Sequence, residues 1–275
     1  MHKEEENMAD LLFDVKDHIA TITLNRPDSM NAFSEEMILS WIKALEEVRD
    51  NDDIRVVILK GNGKAFCAGG DVKAMIAGNG FFNSEEDITS TALARKNSLW
   101  KKVQRVPLLL EEIDKPVIAQ MHGFAMGAGL DMALMCDIRI AAQSAKFSES
   151  YINVGIVPGD GGAYFLPRIV GIDQALDMLW TARVLTAEEA KETRLVTYVV
   201  NDDELEDYTL NYAKKLAAGP IESIKIIKRA VYQSQTMSLR SSLDYISSKM
   251  GLVTELPTYE EGVKAIVEKR KAVFK

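Results

Sequence analysis

The chain has 275 residues, with 33 lysines and arginines against 41 aspartates and glutamates, a formal net charge of −8 at pH 7. Hydrophobic residues make up 47% and charged residues 27%, the mix of a globular protein long enough for one large core or two small ones. The acidic balance disfavours a binder of nucleic-acid backbones, and three histidines and two cysteines leave little material for a histidine-based metal site or a disulfide scaffold.

Residues 1–8 read as a solvated, glutamate-rich tail, neither a secretory signal nor a transit peptide. No stretch approaches 18 uninterrupted apolar residues, so no membrane span or membrane partner is expected and the chain reads as cytoplasmic. Cys67 and Cys136 read as reduced thiols. Leu11 to Val15 and Ile19 to Leu24 alternate as strands do. After the turn signal at Asn25–Asp28, Ser34 predicts the cap of a helix carrying Met37, Ile38, Trp41, Ile42, Leu45 and Val48 at helical spacing. Three apolar runs, 56–59, 117–121 and 138–142, suit buried parallel strands. Gly78–Glu86 reads as a loop with two exposed aromatics. The helix after it ends near Pro107 or runs on to Glu112.

Glycines cluster behind the apolar runs, and the order strand, glycine loop, helix predicts an α/β class. Beyond about residue 170 helices dominate: 173–181, then a capping box at Thr186 and Glu189, then 203–218, 221–234, 238–250 and 258–271 with a second box at Thr258 and Glu261. The organisation reads as a core over about 9–200 and a helical portion over 201–275, with no flexible linker between them.

Several motifs fail. Gly61-x-Gly63-Lys64 lacks phosphate-loop spacing, and Gly127-x-Gly129 has no third glycine. Ser98-x-x-Lys101 has no companion elements. A triad would need His2, His18 or His122, and only His122 reads as interior, in a structural role.

Two glycine loops carry weight. Ala65 to Val72 reads AFCAGGDV and His122 to Asp131 reads HGFAMGAGLD. Small residues admit a ligand close to the backbone. A helix opening after each loop would turn free N–H groups into the gap. Two such groups on one carbonyl oxygen make an oxyanion hole; the alternative is close packing of helix on strand.

With these loops, the segments ITLNRPDSMNAFS (22–34), VVILKGNGKAFCAGGDV (56–72), KPVIAQMHGFAMGAGLDMALMCDIRIAA (115–142), AKFSESYINVGIVPGDGGAYFLPRIVG (145–171), LTAEEAKETRLV (185–196) and EGVKAIVEKRKAVF (261–274) resemble the crotonase superfamily, the enoyl-CoA hydratase/isomerase family, along almost the full length. The resemblance implies a ββα spiral core with a helical C-terminal trimerisation region, assembling as a homotrimer or a dimer of trimers. It implies an acyl-CoA thioester as substrate, no tightly bound cofactor and no metal. The N–H groups of Gly70 and Ala128 match the family's oxyanion donors. Asp131 matches one hydratase acid, a methylene shorter. Tyr151 falls where the second hydratase glutamate stands, and a phenol is a poor base. Asp160 and Glu149 are the nearby acids that could replace it. Asp160 also suits a helix N-cap, Asp131 a first-turn dipole partner, and Glu149 a solvated surface acid. For CoA the resemblance points to the loops holding Arg26, Ala32, Lys64, Ala68, Gly70, Asp71 and Val72. Lys269 and Phe274 would come from the C-terminal end, of this subunit or a neighbour.

The reading ranks an enoyl-CoA hydratase of the fatty-acid β-oxidation type first. An isomerase or other enolate-forming CoA enzyme stands second, because Tyr151 replaces a carboxylate. A non-catalytic or RNA-binding member is the remote alternative, opposed by the acidic 34–50 helix.

Overall fold

The computed structural model describes residues 9–76 and 91–274. The N-terminal tail and the Gly78–Glu86 loop lie outside them. In chain order the strands are β1 (Leu11–Lys16), β2 (Ile19–Leu24), β3 (Val56–Gly61), β4 (Val117–Met121), β5 (Phe124–Met126), β6 (Ile138–Ala142), β7 (Lys146–Ser148), β8 (Leu185–Thr186) and β9 (Tyr198–Val200). The helices are α1 (Glu35–Asp50), α2 (Val72–Ile76), α3 (Thr91–Ser98), α4 (Arg105–Glu112), α5 (Ala128–Leu134), α6 (Gly162–Val170), α7 (Ile172–Thr181), α8 (Ala187–Glu192), α9 (Leu205–Ala217), α10 (Ile221–Ser234), α11 (Leu239–Val253) and α12 (Pro257–Val267).

The main sheet runs β1-β2-β3-β4-β6-β9. Its first pair is an antiparallel hairpin turned at Asp17 and His18, both at positive φ, and every later pairing is parallel. Because strand side chains alternate, Val57, Leu59, Ala119 and Met121 enter one core with Trp41 and Leu45 of α1. Val56, Ile58, Ile118 and Ile140 enter a second core with Leu205, Ala213 and Ala217 of α9. Burying each large side chain contributes roughly 1.5–3 kcal/mol, which explains why these runs are apolar on both faces. By packing, α9 goes with the sheet, while α10 to α12 lie beyond it.

A second small sheet, β5-β7-β8, stands beside the first. Its β5–β7 pairing is parallel, with Met126 opposite Ser148, and this brings the loop before α5 against the turn after β7.

Local signals held where the side chain itself forms the cap. Ser34 accepts from the Met37 N–H at 3.0 Å, and Thr186 with Glu189 forms a reciprocal box. The second predicted box does not form. Pro257, with its fixed φ, takes the first helical position, so Thr258 falls inside the turn. Glu261 instead pairs with Arg270. The last helix also stops short of 271: Lys269 adopts φ 53 and the Arg270 N–H returns to Ala265 O at 3.0 Å. Between α3 and α4 a π-turn at Leu99–Val103 carries the chain on to Glu112, with Pro107 in the first turn of α4, where a missing N–H costs little.

Candidate active site

Two parallel main-chain contacts stitch the glycine loops together. The Cys67 N–H donates to Phe124 O and the Met126 N–H to Cys67 O, each at 3.0 Å. Gly69 has φ +83, and a Cβ there would lie 2.7 Å from Met126 O and 3.1 Å from Ala128 N. A Cβ on Gly129 would lie 2.4 Å from Cys67 O. Only glycine permits this approach. It packs the turn just before Gly70 onto the Ala128 amide that opens α5. Among the described residues neither the Gly70 nor the Ala128 N–H donates to another group. Two adjacent, free N–H groups are what a developing oxyanion requires.

Four ionisable side chains gather behind them. Asp131 sits on the first turns of α5 and is fully buried. Tyr151 stands on a short 3-10 turn, Ser150–Val154, after β7. Its hydroxyl lies 2.6 Å from Asp131 Oδ2 and 3.0 Å from Asp160 Oδ2. Asp160 is 7% exposed and Tyr151 8%. Asp160 does not cap a helix: Gly161 is the residue before α6, and no side chain caps that end. The chain enters α6 through Gly161 at φ +120, which turns the Asp160 carboxylate toward Tyr151. Glu149 overturns its sequence reading more fully. It is 0% exposed, because the β5–β7 pairing folds the segment inward beneath α5. Gly162 completes the wall, since a Cβ there would stand 2.3 Å from Asp131 Oδ1.

Burial governs the protonation of this cluster. Desolvation lifts Asp131 to about 7, with the Tyr151 hydroxyl drawing it back and the Asp160 charge adding to the rise. Desolvation likewise lifts Asp160 to about 6 against the pull of the same hydroxyl. Glu149 is raised well above the carboxylate range by burial, then by Asp131 and Asp160. Tyr151 is driven far above the ordinary phenol value by burial and the two aspartates, so it remains an O–H. The arrangement can hold and exchange protons near neutrality beside free backbone N–H groups.

The residues proposed for CoA fall in two places. Arg26 donates to Ala32 O at 2.5 Å and to Asp71 at 3.3 Å, with Asp10 at 3.5 Å. Asp71 accepts the Ala74 N–H and is held below the usual range, first by backbone N–H donation and then by Arg26. Ala68 lies between these loops, its N–H on Met30 O, with Lys64 and Val72 exposed at the edge. Lys269 is exposed, whereas Phe274 lines an apolar cavity of about 510 Å³ between α10, α11 and α12, with Ile226, Ile246, Val253 and Ile266. None of the four buried ionisable residues lines that cavity.

One positioning residue escaped the sequence reading. Asn31 is fully buried at φ 56, receives the Arg26 N–H, and donates to Asn62 O and Ala65 O at 2.8 and 2.7 Å. It ties the Arg26 loop to the first glycine loop. An asparagine beside a turn signal is the sequence trace of such a residue. His122 is half-buried, its Nε2 against Gly63 O at 3.0 Å. Both cysteines are buried free thiols.

Residues 14–275 match the family described as Enoyl-CoA hydratase/isomerase. A 1,2-epoxyphenylacetyl-CoA isomerase of Escherichia coli (strain K12) is 34% identical over 96% of this chain and 97% of its own length. A crotonyl-CoA hydratase of Syntrophomonas wolfei is 32% identical over 96% and 97%. The crystal structure of an enoyl-CoA hydratase from Bacillus anthracis superposes with a TM-score of 0.86 at 30% identity, covering 97% of this chain and 99% of that one.

Proposed function

Given that this chain belongs to the enoyl-CoA hydratase/isomerase family, the crotonase superfamily, we propose that it isomerises an enoyl-CoA by moving a proton between two carbons. The thioester oxygen accepts the Gly70 and Ala128 N–H groups. The Asp131 carboxylate removes a proton from the α carbon of a 3-enoyl-CoA. The C–H electron pair becomes a C=C bond and the negative charge passes to the thioester oxygen. As that oxygen's electrons return, the double bond moves to the 2,3 position and the γ carbon takes a proton back. Each oxyanion donor contributes about 2.7–4 kcal/mol of barrier lowering. Asp131, Tyr151 and Asp160 form the chain along which the proton is kept.

One observation carries this reading over hydration. The Tyr151 oxygen stands 2.6 and 3.0 Å from the two aspartates, the distances a water held between two carboxylates would take. Addition of water needs that position. Isomerisation needs only a base and a returned proton. Hydration, ranked first from the sequence, becomes the second reading, supported by the hydratase among the relatives.

Incubation of a 3-enoyl-CoA in D2O separates the two. The expected result is growth of conjugated thioester absorbance with deuterium in the product, and a loss of at least about tenfold in Asp131→Asn. A protein that leaves 3-enoyl-CoA untouched and converts a 2-enoyl-CoA to its 3-hydroxy product would overturn it.

For the CoA end, the same reading assigns the pantetheine to the backbone around Ala32, Ala68 and Val72 and the phosphates to Lys64, Lys269 and Arg26. Arg26 would serve a phosphate only by releasing one of its two carboxylates, Asp10 or Asp71. The core over 9–200, joined by α9 through its packing on the sheet, carries the site, and α10 to α12 assemble the chain as a homotrimer or a dimer of trimers. The support is the apolar surface of α10 to α12, where Leu239 is 76% and Ile266 79% exposed. The two buried thiols suit the reducing cytoplasm.

A further inference from the structure

Asp131 must be ionised to act as a base, yet it is fully buried. Its Oδ2 accepts the Tyr151 hydroxyl. Its Oδ1 finds no hydrogen-bond donor among the described residues, and neither oxygen of Glu149 does. These unpartnered oxygens belong to carboxyl groups that face each other within hydrogen-bond reach. Two unit charges held this close in a protein interior repel strongly. A single proton between the two groups removes the repulsion and supplies the missing donor, as a charge-assisted O–H···O bond.

The geometry decides which acid keeps that proton. Asp131 has the Tyr151 hydroxyl, the nearby Gly162 N–H and the opening turns of α5 to favour its charge. Glu149 has Asp131 and Asp160 as its charged neighbours, from α5 and from the loop before α6, with Tyr151 on its own turn. We propose that Glu149 is a positioning residue which remains protonated and donates its O–H to Asp131 Oδ1, holding Asp131 ionised and oriented as the base.

This inference rests on the isomerase reading for Asp131, and its test separates the two. Glu149→Gln keeps a donor, whereas Glu149→Leu removes it; thermal melts establish that both fold. Loss of the donor favours protonated Asp131, so Glu149→Leu should move the acid limb of kcat/KM upward by about one pH unit and lower kcat about tenfold. Glu149→Gln should stay within about threefold of the parent, because the amide still donates. Infrared difference spectra at about pH 8.5, above the region where Asp131 and Asp160 titrate, should show a protonated carboxyl C=O band that is lost in Glu149→Gln and kept in Asp160→Asn. An unmoved acid limb in Glu149→Leu, or equal damage in Glu149→Gln, overturns the proposal. Absence of the band overturns it whatever the activity. If the band is present while the parent protein fails to isomerise, the isomerase reading falls and the Glu149–Asp131 hydrogen bond stands.

Discussion

Asp131, Tyr151 and Asp160 are polar residues placed where water does not reach, and that placement sets both their reactivity and their cost. The base must be ionised, so turnover should rise with pH through the region near 7 to which burial lifts Asp131. Stability should run the other way. The folded-state value is raised, so between the ordinary carboxylate value near 4 and about 7 the unfolded chain releases a proton that the native chain retains. Native stability therefore falls as pH rises through that window. Asp131→Asn removes the ionisation, and at pH 8 its melting temperature should exceed the parent's by about 2–4 °C for each ~1 kcal/mol relieved, while activity is lost. A variant that melts lower at pH 8 than the parent would contradict this account. At this scale the sequence disclosed Asp131, Tyr151 and Asp160 as candidates. It misplaced Glu149, because a glutamate between two serines carries no local sign of burial.

At the scale of elements, the proposed oxyanion hole lies at the joint between two loops that share no sequence neighbourhood. Each loop was legible by its glycines. Their interlocking was not, because it depends on the parallel contact between Cys67 and Ala125. Gly69→Ala tests the joint. The new Cβ would press on Met126 O at 2.7 Å with φ at +83, pushing the Gly70 and Ala128 amides apart. The expected outcome is a fall in kcat of at least about tenfold, as for a lost oxyanion donor, with far-UV circular dichroism unchanged. Retained kcat would remove these amides from the mechanism. Helix caps show the same division. Ser34 and Thr186 were readable because the capping contact is local. Thr258 was misread because the neighbouring Pro257 claimed the first helical position.

For the whole molecule, the question is what covers α10 to α12. Ile227, Leu243, Met250 and Ile266 are more than half exposed, a concentration that favours contact with another surface. On the proposal that this surface joins copies of the chain, Ile266→Asp should shift the mass measured by light scattering toward the single chain, because a charge buried at an interface is costly. An unchanged mass would place the assembly surface elsewhere. The −8 net charge is compatible with a polyanionic ligand such as CoA, since its phosphates need a few local cations and not a basic surface.

The sequence by itself determined the α/β class, the apolar strands, the two glycine loops and the family, because each is written in short-range patterns of residue type. The tertiary structure decided which polar residues lose their water. Sheet pairing and the β5–β7 contact fold Glu149 and Tyr151 from one turn, and Asp160 from the loop before α6, in beneath Asp131. Desolvation and mutual repulsion among these groups depend on distances that no linear pattern encodes. The chemistry of the site is a consequence of that enclosure.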